Sequence, residues 1–147
     1  MLNRADDAYQ VYNDLLPDHI IDKVGVDGYC AEPYVYSSNV RAPYVDRGGE
    51  AAVSWLTGTG NWMNVALQQY IFGIKPVSNG LSINPKLPSH IKEAEIQRIY
   101  RGTTYHISVK NNGHTKKVPT LYVDGKKLDS HIVTSKEKEV NILCICE

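Results

Sequence analysis

The feature that most constrains the fold of this chain is a change of hydrophobic periodicity near Gly73. Before Gly73, apolar residues recur every three or four positions, the spacing of one face of an α-helix. After it, apolar and polar residues alternate in short runs separated by turn residues, the pattern of β-strands. The sequence therefore predicts an α+β chain with a helical part at residues 1–73 and a sheet part at residues 74–147.

The helical part is predicted to hold two or three helices and a long loop. Asp6 or Asp7 is expected to cap the first helix and Pro17 to end it. Residues 25–49 carry Gly, Pro, Asp or Asn every few positions, which predicts a loop with one helical turn. Residues 49–72 are predicted to form the second helix. A small number of helices can bury only a small part of their apolar surface. We therefore expect this part to be the end of a larger structure.

The sheet part contains short runs with strand character. The Asp124-Gly125 pair between two such runs is a strong hairpin signal. Short strands separated by turns favour an antiparallel sandwich over a parallel sheet. The predicted strands are Gly80–Asn84, Ala94–Tyr100, Thr103–Val109, Thr120–Val123 with its returning partner Lys126–Leu128, and Val140–Cys146.

Charge and cysteine content exclude several classes of function. Sixteen basic and sixteen acidic residues cancel, which gives no electrostatic argument for binding nucleic acid or a membrane surface. No apolar run approaches the roughly 20 residues of a membrane span, and the N-terminus lacks the apolar core of a signal peptide. Three cysteines without a Cys/His cluster predict reduced thiols, no metal site and a cytoplasmic location.

The segment Ser54–Trp62 is the best candidate for a ligand contact, because hydroxyl residues alternate with glycines in an otherwise helix-like run. Glycine costs roughly 1 kcal/mol relative to alanine inside a helix, so packing alone is a poor reason for two of them. Bare backbone N–H groups and threonine hydroxyls can together hold an anion. A helix cap with close packing is the alternative explanation.

Ten tyrosines and two tryptophans against one phenylalanine favour amphipathic rings. Such rings stack on sugars, although they also fill half-buried strands. Tyr34 and Tyr36 can thus line a cleft or pack beneath the loop. Glu32 can contact a sugar hydroxyl or form a salt bridge with Arg41 or Arg47.

An ordered set of motifs resembles the C-terminal end of the inverting glycoside phosphorylases, which include cellobiose, chitobiose and cyclic β-1,2-glucan enzymes. The resemblance runs continuously over roughly residues 5–130. Any one motif is weak, but their order is specific. The motifs are Glu32-Pro33-Tyr34-Val35-Tyr36, Ser54-Trp55-Leu56-Thr57-Gly58-Thr59, Trp62, Tyr70-Ile71-Phe72-Gly73-Ile74-Lys75-Pro76, Gly80-Leu81-Ser82-Ile83-Asn84-Pro85, Leu87-Pro88, and Tyr100-Arg101-Gly102-Thr103-Thr104-Tyr105-His106-Ile107.

The resemblance implies a fold and a reaction. Residues 1–73 would be the last helices of an (α/α) six-hairpin barrel, and residues 74–147 a C-terminal antiparallel β-sandwich. The reaction would be phosphorolysis of β-linked gluco-oligosaccharides to an α-sugar 1-phosphate with inversion. One carboxylic acid protonates the leaving oxygen, while phosphate attacks without the base that an inverting hydrolase needs. Inorganic phosphate would be a co-substrate, and no cofactor is implied.

The resemblance also assigns residues. Thr57 and Gly58, with Thr59 beside them, match positions that hold the attacking phosphate. Ser38 stands where cellobiose and chitobiose phosphorylases typically carry a glutamine that touches the donor sugar, and Glu32 and Tyr34 are the other expected sugar contacts. The general acid and the remaining phosphate ligands match positions upstream of Met1, so this chain carries no catalytic residue and is expected to be inactive alone.

A non-catalytic carbohydrate-binding or assembly module is the alternative function, with Tyr100 and Tyr105 as candidate stacking residues. Apolar residues of the helical part would lack barrel partners in an isolated chain. Because contiguous apolar patches drive association, we expect a homo-oligomer through residues 1–73. The residues concerned are Val53, Leu56, Trp62, Val65, Ile71 and Phe72.

Overall fold

The structure, a computed structural model, describes residues 4–55, 58–113 and 118–146. It divides into two units. One is Gln10–Ala66, called the loop unit here, and the other combines Met1–Tyr9 with Leu67–Glu147 and is called the sheet unit. Helices and sheets are both present, so the predicted α+β class is confirmed. The domain boundary at Gly73, the barrel and the sandwich stay predictions.

The first two helices are α1, Ala5–Asp14, and α2, Pro17–Tyr29. Asp6 and Asp7 lie inside the first turn of α1 rather than capping it, where their charges favour the helix N-terminus. Pro17 separates the helices as expected, but it also starts α2, because a proline at the first helical position lacks only an N–H that would be unpaired there. The predicted loop therefore begins five residues late, after Tyr29, and the backbone of Gly25 (φ 75°) bends α2.

Beyond α2 the loop unit has little regular structure. Strands β1, Asn39–Val40, and β2, Ala51–Ala52, pair antiparallel. Helix α3 covers Thr59–Val65 and continues as a π-helical segment, Ala66–Ile71. The prediction of a helix from residue 49 is wrong over residues 49–55. Strand β2 and the left-handed backbone of Val53 and Trp55 occupy this stretch.

Gly73 follows the end of the π-helical segment by two residues and is a position that only glycine fits. Its φ is +64°, and a Cβ there would lie well inside van der Waals contact of the Asn84 carbonyl oxygen. The Gly73 carbonyl accepts a hydrogen bond from the Asn84 N–H at 3.0 Å. The residue at which the periodicity changes is therefore fixed by backbone packing inside the sheet unit.

The sheet unit contains two sheets. A three-stranded antiparallel sheet has the order β3-β4-β9, and a five-stranded sheet has the order β5-β6-β10-β7-β8. The strands predicted from the sequence are present to within two residues at each end. The strands are β3 Ile74–Val77, β4 Gly80–Ile83, β5 Glu93–Tyr100, β6 Thr103–Asn111, β7 Thr120–Val123, β8 Lys126–Leu128, β9 Ile132–Val133 and β10 Glu139–Cys146.

One pair of neighbouring strands departs from the predicted antiparallel arrangement. Strand β10 runs parallel to β6 along its whole length, from Glu139 opposite Thr104 to Cys146 opposite Asn111. Parallel neighbours need a connection of a dozen or more residues, and the described residues between β6 and β10 include β7, β8 and β9. The alternation of apolar and polar residues within a strand does not indicate whether the neighbouring strand runs parallel or antiparallel to it.

Alternate residues of β6 and β10 form the centre of the core. Tyr105, Ile107 and Val109 share one face, as the alternation predicted, and are at most 2% exposed. Cys144 and Cys146 are buried as free thiols on the same face of β10, and Cys30 is free and exposed. Burial of Tyr105 excludes it as an exposed stacking residue. Within the described ranges, no helix is long and apolar enough to cross a membrane.

Candidate functional site

The predicted site residues that the structure describes all lie in the loop unit. They come from two of its segments, residues 32–38 and the start of α3 at residues 58–60, and a third segment, residues 51–55, contacts the first. Thr57 lies outside the described residues. The site is therefore built from loops and one helix start, which is typical of ligand sites held by a scaffold.

Glu32 and Trp55 are joined by a side-chain hydrogen bond. The indole Nε1 of Trp55 donates to Oε1 of Glu32 at 2.8 Å. Tyr34 meets the same indole edge-to-face, with ring centroids 6.2 Å apart and planes inclined by 68°. Tyr34 is 73% exposed and Trp55 66% exposed, so the two rings and one carboxylate form an open aromatic surface.

Trp55 holds this position on strained backbone. Its φ is 66°, and that of Val53 two residues earlier is 57°, both in the left-handed region. That conformation costs non-glycine residues on the order of 1–3 kcal/mol, and β-branched valine adopts it least readily. Strain of this kind persists where surrounding contacts over-determine the geometry, and the Glu32 bond is one such contact.

Ser38 is tied to the backbone of the third segment. Its N–H donates to the Val53 carbonyl at 3.0 Å, and its hydroxyl donates to the Ala52 carbonyl at 3.2 Å. The side chain remains exposed at the surface. Ser38 therefore extends the β1–β2 pairing as well as standing at the position assigned to a sugar contact.

Thr59 links the helix start to the first segment. It is the first residue of α3, and its hydroxyl donates to the Ser37 carbonyl across a long 3.4 Å contact. The structure thus brings a predicted phosphate residue next to Ser38, a predicted sugar residue. Local sequence patterns do not predict this contact, because 22 positions separate the two partners.

Neither glycine of the Thr-Gly-Thr-Gly run is required by the fold of the described residues. Gly58 precedes α3 with φ −83° and ψ 2°, values open to any residue. A Cβ at Gly58 would meet Trp62 at 3.6 Å and one at Gly60 would meet Tyr36 at 3.7 Å, both ordinary contacts. This supports the view that packing does not explain the two glycines.

The hydrogen bond from Trp55 is the main cause that holds the pKa of Glu32 below its ordinary value, with a further bond from Ser54. Burial is the main cause that raises the pKa of Tyr36, a half-buried residue, and the neighbouring Tyr12 and Asp18 act in the same direction. Glu32 is thus kept as a carboxylate that accepts hydrogen bonds. In the part of the chain that the structure describes, no group of three or more His, Cys, Asp or Glu side chains could hold a metal.

The structure bears only on the salt-bridge alternative for Glu32, and a sugar contact of Glu32 stays a prediction. Arg47 contacts Glu50 at 2.6 Å and Arg41 contacts it at 3.7 Å, so both arginines pair with Glu50 and the partner of Glu32 is Trp55. Trp55 lies within Ser54–Trp62, the segment predicted to contact a ligand, but the sequence assigned Trp55 no role. Its position next to the Thr-Gly-Thr run is the sequence feature that could have marked the Trp55 indole as a site residue.

Comparison with known proteins identifies the family of the part of the chain that contains these residues. Residues 1–73 match the catalytic domain of the glycosyl hydrolase 94 superfamily. This part of the chain belongs to that superfamily. The match includes all three segments of the site, and the resemblance to glycoside phosphorylases is confirmed.

Relatives of the chain include phosphorylases of different sugars. Solabiose phosphorylase of Paenibacillus borealis is 32% identical over 85% of the chain, and N,N'-diacetylchitobiose phosphorylase of Vibrio furnissii is 35% identical over 88%. Cyclic β-(1,2)-glucan synthase of Rhizobium meliloti (strain 1021) is 31% identical over 74%. The chain spans 16% of the length of each of the two phosphorylases and 4% of the synthase.

Proposed function

We propose that this chain supplies part of the phosphate and sugar contacts of a glycoside phosphorylase. Thr57, Gly58 and Thr59 contact the attacking phosphate, and Glu32, Tyr34 and Ser38 contact the sugar. The observation that carries the proposal is the bond between Thr59 and Ser37, which brings the two groups of residues together in one unit. Membership of residues 1–73 in the glycosyl hydrolase 94 superfamily supports it.

Each assigned group suits its ligand. The backbone N–H of a glycine can position a phosphate oxygen through a short hydrogen bond, and the Thr59 hydroxyl can do the same by giving up its long 3.4 Å contact with the Ser37 carbonyl. Tyr34 and Trp55 offer exposed ring faces and edges to the apolar side of a sugar. Glu32, kept ionised by its Trp55 bond, accepts hydrogen bonds from sugar hydroxyls with its remaining lone pairs.

The reaction we propose for the whole catalytic unit is inverting phosphorolysis of β-linked gluco-oligosaccharides to an α-sugar 1-phosphate. Inorganic phosphate is the co-substrate, and no cofactor takes part. We propose a cytoplasmic location, which the free thiols Cys30, Cys144 and Cys146 support. The chain alone is proposed to be inactive, because its resemblance to the phosphorylases assigns no residue of this chain to the general acid, and such a group contributes about 10²–10⁴-fold.

Phosphate binding to the full chain is the direct test of the proposed site. In amide NMR spectra, a titration with inorganic phosphate at constant ionic strength is expected to shift the Gly58 and Thr59 signals, and Thr59→Val to weaken the response. Thr104→Val, a half-buried threonine on β6, is the matched control and should leave the response unchanged. Equal shifts over the whole surface, or none at Gly58 and Thr59, would refute the phosphate assignment.

Activity gives a second, independent test. Incubation of the chain with cellobiose and phosphate is expected to release no glucose 1-phosphate above the protein-free background. Turnover by the purified chain would show that an acid is present and would overturn the proposed inactivity.

We also propose that the chain associates with itself through exposed apolar residues of the helical part. Val53 is 54% exposed and Trp62 is 73% exposed, whereas Ile71 of the same predicted surface is buried and Leu56 lies outside the described residues. Light scattering over a dilution series is expected to show a dimer that Val53→Ser with Trp62→Ser dissociates. Ile99→Ser, at an exposed site of β5, should leave it intact. A monomer at every concentration contradicts this proposal.

A further inference from the structure

The five-stranded sheet carries a groove of about 440 Å³ on the face opposite its core. Its walls come from three neighbouring strands, β6, β10 and β7, and the turn at Gly125 borders it. This volume lies within the range of pockets that hold small ligands. The groove belongs wholly to the sheet unit and shares no residue with the site in the loop unit.

Strand register explains why these side chains meet. His106 stands opposite Asn141 and Ser108 opposite Leu143, in the parallel pairing of β6 with β10. Leu143 in turn stands opposite Tyr122 on β7. The parallel pairing that the sequence did not predict therefore builds the groove, because it places β10, the last strand in the chain, between the consecutive strands β6 and β7.

The lining has a neutral, amphipathic composition. Half-buried Leu143 and Ile145 give it an apolar floor, and Tyr122 adds a half-exposed aromatic ring. His106, Ser108 and Asn141 supply hydrogen-bonding groups that carry no fixed charge. A neutral ligand with apolar faces and many hydroxyls matches this lining better than an anion or a cation.

Hydrogen bonds to Asp124 fix the position of Asn141. Asp124 Oδ1 accepts a hydrogen bond from the Asn141 N–H at 3.1 Å and another from its side-chain nitrogen at 3.4 Å. The Asp124 N–H donates back to the Asn141 carbonyl at 2.9 Å. With its nitrogen turned to Asp124, the side-chain amide offers its oxygen to a ligand hydroxyl.

We propose that this groove binds a neutral oligosaccharide, at a site separate from the one in the loop unit. Tyr122 stacks on a sugar face, while His106, Ser108 and Asn141 bind its hydroxyls. The carbohydrate-binding alternative considered from the sequence named Tyr100 and Tyr105. Tyr105 is buried, and the Tyr100 hydroxyl is engaged by the Val77 carbonyl at 3.2 Å, so Tyr122 takes that role.

Calorimetric titration of the full chain with cellotetraose tests this. Tyr122→Ala is expected to weaken binding about tenfold, the scale of one ring contact, and Tyr122→Phe to retain most of it. His106→Ala, at an exposed strand position where folding is little affected, is expected to weaken binding as well. Thermal melting of each variant separates lost binding from lost folding.

A matched pair distinguishes the groove from the loop unit. Tyr44→Ala removes a ring that is 88% exposed and belongs to neither site, so it is the control and should leave cellotetraose binding unchanged. Tyr34→Ala instead removes an exposed ring of the loop-unit site. Binding that survives Tyr122→Ala and His106→Ala but is lost in Tyr34→Ala would overturn the groove proposal and favour the loop unit. Absence of any cellotetraose binding would also overturn it, without bearing on phosphate binding at Gly58 and Thr59.

Discussion

The two units of this chain use their apolar residues in opposite ways. Strands β6 and β10 of the sheet unit bury alternate side chains almost completely, and Leu81, Ile83 and Leu121 of other strands are at 0% exposure. The loop unit leaves Tyr34, Trp55 and Trp62 more than 60% exposed and holds Val53 and Trp55 on strained backbone. The difference indicates that the sheet unit is organised for its own stability, whereas the loop unit presents surface for a ligand or a partner.

The largest expected effect comes from truncating a leucine in each unit. Leu121→Ala removes a fully buried side chain from β7 and should lower the free energy of unfolding by about 2–5 kcal/mol. Leu15→Ala, at a loop-unit position that is 49% exposed, should change it by no more than about 0.5 kcal/mol. Urea unfolding of the two variants measures both. Equal losses would remove the contrast between the units.

Glycines give the next largest contrast. Gly73→Ala should destabilise the chain by more than about 1 kcal/mol, because the residue has positive φ and the Asn84 carbonyl fills the space of a Cβ. Gly60→Ala, inside α3 with room for a Cβ, should stabilise it by about 0.4–1 kcal/mol.

Melting temperatures and the phosphate titration together decide what the Gly60 result means. A variant that is more stable yet binds phosphate less would assign the glycine to ligand approach. A Gly60→Ala variant that is less stable would show that the fold needs this glycine.

The smallest expected effect is the pH response of the Glu32–Trp55 contact. The pKa of Glu32 is lowered in the folded chain, so its stabilising contribution is fully present above the ordinary value of 4.5. The contribution is lost as the pH falls through the folded-state pKa, when the carboxyl takes up a proton. The intrinsic fluorescence of Trp55, isolated as the difference from Trp55→Phe, should therefore change below pH 4.5.

Glu32→Gln is the control for this titration, because its amide oxygen still accepts the indole hydrogen bond but does not ionise. That variant should show a flat fluorescence profile over the same pH range. An unchanged fluorescence transition at acid pH in Glu32→Gln would assign the titration to another carboxyl. It would also show that Glu32 does not influence the strained segment that contains Trp55.

Local patterns in the sequence determined the strands, their buried faces and the Asp124-Gly125 turn. Alternation fixes which side of a strand is apolar, and Tyr105, Ile107 and Val109 obey it. The resemblance also named site residues that come together in the loop unit. Helix bounds were less certain, since Pro17 was expected only to end a helix and also begins one.

Tertiary structure alone decided strand direction and the contacts across long sequence separations. Strand β10 lies parallel to β6 because of a crossover that local periodicity cannot encode. Glu32 meets Trp55 across 23 positions, although two arginines were nearer in sequence to serve as charge partners. Backbone strain at Val53 and Trp55 likewise exists only where the folded chain holds it in place, because a free chain would relax to a more favourable φ.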